Sequence, residues 1–144
     1  MEILRGIGAS PGVAIGTVFI VGSEEVVVRE RFVPAEDVPH QVERFRDALE
    51  ATINEIEEIK KATIRKKLAE YAAIFDAHLA MLADPTLKRT INEFIEERKV
   101  VAEHAVSRSF RRYISRMEQI DEEDRSQRAD DLRDLERRII NNLA

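Results

Sequence analysis

From Pro34 onward the apolar positions recur at steps of three and four, the spacing of helices that bury one face. Val38, Val42, Phe45, Leu49, Ile53, Ile56 and Ile59 form the stripe of a first predicted helix. Pro34 and a run of acidic residues mark its start, where negative charge suits the positive end of the helix dipole. Pro39 is tolerable because it falls close to that start. A second helix is predicted over about 69 to 83, and Asp84-Pro85 ends it and opens a third, with Asp as N-cap and Pro as first helical residue. The third carries Leu87, Ile91, Phe94 and Ile95 on one side. A fourth, from about Val101 to Met117, turns Ala102, Val106, Phe110, Tyr113 and Met117 inward. "DEED" at 121–124 supplies another acidic start, and a last helix places Ala129, Leu132, Leu135, Ile139 and Leu143 inward. Four long stripes with short joints predict a helical bundle of four to five helices.

Residues 3 to 28 follow a different rule. "ILRGI" and "VAIGTVFIV" are rich in β-branched residues, with the turn sequence "GASPG" between them, and "VVV" at 26–28 forms a third apolar run. Gly12 follows Pro11 and can take the positive φ that a tight turn requires. Two or three short strands make a marginal sheet on their own. They lie on the helices, pair with a second copy of the chain through exposed edges, or belong to a larger sheet. The fold class is therefore mainly α, a bundle preceded by a short β segment, with the boundary at 22–33 where the period changes.

Composition narrows the function. Of the 144 residues 35% are charged, with few glycines and no tryptophan, a mixture that favours long amphipathic helices. The net charge of −5 gives no general attraction to nucleic acid. The absence of cysteine excludes disulfide scaffolds, thiolate metal sites and thiol nucleophiles. "MEILRGIG" lacks the features of a signal peptide, and no apolar run is long enough to span a bilayer, so no membrane insertion and a cytoplasmic location are expected.

Candidate chemistry is sparse. A bundle can hold a di-metal centre through Glu-x-x-His pairs, but neither His78 nor His104 has Glu three residues earlier, and His40 has Asp37 there with Pro39 between. Gly6, Gly8, Gly12 and Gly16 fail as a nucleotide loop, because Pro11 occupies the third glycine's place and strand follows. The basic clusters "KKATIRKK" (60–67) and Arg108, Arg111, Arg112 and Arg116 read as solvated faces beside an acidic first helix.

The stretch "AIFDAHLAMLADP" (73–85) stands out. Tyr71, Ile74, Phe75, His78, Met81 and Leu82 cannot share one narrow stripe, so the helix carries more apolar surface than a single contact needs. Such an excess marks burial beneath the neighbouring short helix or a surface that receives a partner, and composition favours burial. Met81 suits a face that adapts to a partner's shape.

Three motifs resemble one family. "GIGASPGVAIG" at 6–16 is similar to the amino-terminal strand-turn-strand of enzyme I of the phosphoenolpyruvate:sugar phosphotransferase system. "IFDAHLAMLADPTLKRTI" at 74–91 resembles its helix pair through Phe75, His78, Leu82, Asp84, Leu87 and Ile91. "RADDLRDLERRIINNL" at 128–143 resembles its last helix through Arg128, Asp131, Arg133, Asp134, Arg138 and Asn142. The resemblance implies an enzyme that passes a phosphoryl group from phosphoenolpyruvate, through a histidine of its own, to the phosphocarrier protein HPr for sugar uptake. It also implies that the phosphorylated histidine, in a Thr-Ser-His segment of an α/β domain, and the barrel that binds phosphoenolpyruvate and Mg²⁺ lie outside this chain. No Thr-Ser-His occurs here. Residues 1–28 are then the first strands of a truncated α/β domain and 29–144 the helical carrier-binding domain, an amino-terminal fragment expected to be inactive alone, without catalytic residues, cofactor or metal of its own.

In this reading the carrier meets Glu70, Ile74, Asp76, His78, Met81, Leu82, Leu87, Met117, Ile120 and Arg128, with His78 a contact residue and not the phosphoacceptor. The resemblance also implies acidic residues at the start of the second helix and after it, where this sequence has Ala69-Glu70 and Pro85-Thr86, so acidic steering of a basic carrier should be weaker. The alternative is a non-catalytic structural or adaptor bundle whose wide apolar arc is core.

Overall fold

The computed structural model describes residues 28–118 and 125–144, with isolated positions 3, 5, 6, 8, 12 and 13. A turn of 3₁₀ helix over Ala35–Asp37 leads into α1, Val38–Arg65. A second 3₁₀ turn, Ala69–Tyr71, precedes α2 (Ala72–Ala83), followed by α3 (Pro85–Arg98), α4 (Ala102–Glu118) and α5 (Arg125–Leu143). At 1.5 Å per residue α1 is about 42 Å long, and α2 and α3 end to end return that length. Phe45, Leu49 and Ile56 of α1, Leu82 of α2, Ile91 and Ile95 of α3, Val106 and Phe110 of α4, and Leu132, Leu135 and Ile139 of α5 meet in one core.

The expected helices are present, and each boundary has a cause. Asp84 caps α3 by accepting a hydrogen bond from the Thr86 N–H at 2.9 Å, with Pro85 as first helical residue. The end of α1 is a Schellman turn: Lys67 has a φ of 60°, its N–H bonds the Ile64 carbonyl, and the Leu68 N–H bonds that of Thr63. Lys99, with a φ of 53°, closes α3 by donating to the Ile95 carbonyl.

The start of α4 has no side-chain cap of its own, because Val101 precedes it. Gln41 of α1 supplies one. Its Oε1 accepts from the Ala102 N–H at 3.0 Å and from Arg44 Nη1 at 2.8 Å, while its Nε2 donates to Asp37 Oδ2 at 3.0 Å. Arg44 also grips Glu103 through both terminal nitrogens and donates to the Leu143 carbonyl at 2.9 Å. Two residues on the first turns of α1 thus hold the start of α4 and the end of α5.

Among the described residues there is no sheet, only an antiparallel bridge between Phe32 and Val100. The Val33 N–H donates to the Lys99 carbonyl at 2.8 Å, and the Val101 N–H to that of Arg31 at 2.9 Å. The strands expected over 3–28 lie almost wholly outside the described residues. Gly12 is described, with the positive φ expected of its turn, 143°.

One helix face differs from expectation. Tyr113 does not point inward; it is 51% exposed, and Ile114 takes the buried position. Ile114 continues the four-residue step from Ala102, Val106 and Phe110, and Tyr113 sits one position round the helix.

Candidate docking surface

Where α2 turns into α3, the bundle leaves a groove of about 110 Å³. Met81, Asp84, Thr86, Leu87 and Thr90 form one wall, Ser109, Phe110 and Tyr113 of α4 the other, and Leu132 and Leu135 of α5 lie at its base. The groove exists because α2 and α3 are two short helices: their joint cannot fill the space beside α4 that a continuous helix would. Its lining is apolar except for hydroxyls and the capping carboxylate of Asp84. The buried Ser109 Oγ has no hydrogen-bond partner among the described residues.

The structure divides the ten residues the sequence nominated. Met81 and Leu87 line the groove, half-buried. Glu70 and Ile74 are exposed further along α2 and its leading turn, and Arg128 is exposed on the first turns of α5. Asp76, also exposed, is paired with Lys60 of α1. Met117 is half-buried near the end of α4. Ile120 lies outside the described residues.

Two nominated residues are placed differently from expectation. Leu82 is 2% exposed and belongs to the core. His78 is 7% exposed, packed edge-on against Phe75, with its Nε2 3.4 Å from Asp131 Oδ1 on α5 and no hydrogen bond. The cause is helical geometry: His78 and Leu82, four apart, share a buried face of α2, while Met81 is turned toward the groove. The excess of apolar surface on α2 thus serves both purposes, burial on one side and an open groove on the other.

Sequence reasoning did not find Thr86, Thr90, Ser109, Phe110, Tyr113, Leu132 and Leu135 as groove residues. Nothing local marks them, since the groove joins four helices. The remaining buried titratable groups stand apart from it. His104, in contact with Phe94, is held below the usual histidine value chiefly by burial, with Glu30 opposing and Arg108 and Arg111 adding to the depression. Glu136 is pushed up by burial, against a hydrogen bond with Ser107 and the nearby Arg111, Arg133 and Arg137. Among the described residues no group of three or more His, Asp or Glu side chains converges to hold a metal ion.

The described residues thus form a helical bundle with an apolar groove at the joint of two short helices. The chain belongs to the family described as PEP-utilising enzyme, N-terminal, which it matches over residues 5–128. Its relatives include the phosphoenolpyruvate-protein phosphotransferases of Haemophilus influenzae and Bacillus subtilis. The first is 29% identical over 141 residues, covering 98% of this chain and 24% of the relative. The second is 32% identical over 143 residues, covering 99% and 25%. That of Bacillus sp. strain S is 35% identical over 142 residues, 99% of this chain and 24% of the relative. The chain thus spans about a quarter of the length of these relatives. Among solved structures it is similar to an NMR solution structure of Enzyme I (nEIt), with a TM-score of 0.77, 38% identity and coverage of 98% of this chain and 57% of that one. It is also similar to an N-terminal domain of Enzyme 1 - Nitrogen, with a TM-score of 0.73, 28% identity and coverage of 81% and 48%.

Proposed function

We propose that the groove at the α2–α3 joint seats the phosphocarrier HPr, and that the chain is the carrier-docking part of a phosphoenolpyruvate-protein phosphotransferase of the cytoplasm. One observation carries this reading: Met81, Leu87, Phe110 and Tyr113 frame an open apolar groove on a domain whose relatives bear that enzyme's name. A plain scaffold would have no use for it. Residues 29–144 form the docking domain in this reading, and 1–28 belong to the neighbouring α/β domain.

Phosphoryl transfer asks a protein chiefly for alignment and charge stabilisation. The groove serves alignment: a side chain of the carrier seated between α3 and α4 fixes the carrier against a rigid bundle, so that its histidine meets the enzyme's phosphohistidine in line. None of this chain's three histidines is placed for that chemistry. His78 and His104 are buried, and His40 stands exposed on the first turn of α1. Mg²⁺, implied for the whole enzyme, finds no ligand cluster among the described residues.

A relay partner must leave after each turn, so micromolar affinity, about −8 kcal/mol, suits the role. Titrating the ¹⁵N-labelled chain with HPr from the source organism tests the reading. Shifts should concentrate at Met81, Thr86, Leu87, Thr90, Ser109 and Tyr113, and Leu87→Asp should abolish them. Saturable binding with shifts confined to α1 and the outer face of α5 would refute it.

A further inference from the structure

Among the described residues from 28 onward, no large apolar side chain is as open as Phe32, which is 73% exposed. Its backbone is nonetheless held on both sides. The Val33 N–H donates to the Lys99 carbonyl at 2.8 Å, and the Val101 N–H to that of Arg31 at 2.9 Å. In an antiparallel pair, alternate residues turn their polar groups to opposite sides. The N–H and C=O of Phe32 therefore point away from 99–101, and neither has a backbone partner among the described residues. An aromatic ring and an open strand edge thus sit together at a fixed place. That place is the pole where the chain enters the bundle and where Arg44 holds the end of α5.

Size decides what covers it. A lone phenylalanine offers about 150–250 Å² of surface, far below the roughly 800 Å² per partner of a stable interface between separate proteins. Neither a second copy of the chain nor a free partner is held by so little. A neighbour on the same polypeptide is, because the tether gives it an effective concentration on the order of millimolar. The relatives carry such a neighbour, since this chain spans about a quarter of their length. We propose that Phe32 and the open edge beside it seat the adjoining domain of the full-length polypeptide. That domain lays an apolar face on the ring and pairs its backbone with that of Phe32, which fixes it against the entry pole of the bundle. The inference rests on the reading of the chain as part of a longer phosphotransferase and is independent of what fills the groove.

The test compares the 144-residue chain with the full-length protein of the source organism. Hydrogen exchange at the Phe32 amide, resolved by mass spectrometry with fragmentation, should be fast in the short chain and about tenfold slower in the full-length protein. Phe32→Ser should leave the urea midpoint of the short chain unchanged and lower that of the full-length protein. Both contrasts are required. Equal exchange in the two proteins, slow exchange already in the short chain, or an equal effect of Phe32→Ser on both overturns the proposal. A native reading frame no longer than this chain would remove the occupant and overturn it outright. Titration of the wild-type chain with HPr reads the groove separately: failure to bind would sink the docking reading and leave the contrasts at Phe32 standing.

Discussion

Replacing Gln41 by Leu removes one side chain and strips three hydrogen bonds from the place where α1, α4 and the 3₁₀ turn meet. Gln41 is 5% exposed, and the Ala102 backbone it caps is buried. The Ala102 N–H accounts for most of the loss, because a buried donor left without an acceptor costs about 1–3 kcal/mol. The bond to Asp37 is partly exposed and adds about 0.5 kcal/mol. Arg44 keeps Glu103 and the Leu143 carbonyl and is little affected. The added apolar surface of leucine returns part of this, so the net destabilisation is about 2 kcal/mol. Urea unfolding followed by circular dichroism should show a lower midpoint at an unchanged slope. Hydrogen exchange should show the Ala102 amide losing protection ahead of the core of α4. A shift below about 0.5 kcal/mol, with Ala102 still protected, would mean that Gln41 is a passenger and α4 is placed by packing alone.

Lys67→Gly should stabilise the chain by about 0.5 kcal/mol in the same assay, since the relief of a left-handed non-glycine residue exceeds the entropy glycine adds to the unfolded chain. Leu82→Ala should cost about 2–5 kcal/mol of stability, whereas Leu87→Ala, at a half-buried position, should cost about 1 kcal/mol and weaken carrier binding; the reverse pattern would invert the division between core and groove. Glu136 binds a proton more readily folded than unfolded, so it costs stability as pH rises from its ordinary 4.5 toward its raised value, and Glu136→Gln should flatten that part of the stability profile. His104 has the opposite linkage. Its folded value lies below 6.5, so the stability it contributes is full above that pH and lost as pH falls through the depressed value, a slope that His104→Gln should remove.

Most of the fold was legible because helix formation is local. The stripe from Val38 to Ile59, the Asp84-Pro85 junction and the inward set on α5 each follow from spacing within one segment. Tyr113 was misplaced because helical spacing allows a step of three or of four after Phe110, and only the packing selects Ile114. The cap on Ala102 was invisible for a related reason: its acceptor lies 61 residues away on another helix. The groove was half legible. Met81 and Leu87 were found from an apolar excess and a family resemblance, but the opposite wall depends on how α4 approaches the joint. His78 shows the limit of a matched motif. His78 and Asp131 lie in two separate matched stretches, 74–91 and 128–143, and only the fold brings Nε2 of the one to 3.4 Å from Oδ1 of the other.

The bridge between residues 31–33 and 99–101 brings the chain into the bundle at the pole where Arg44 grips the end of α5. Entry and exit therefore sit side by side, like the two legs of a staple. A unit built this way can be spliced into a surface loop of an unrelated host without stretching either protein, taking its groove along intact.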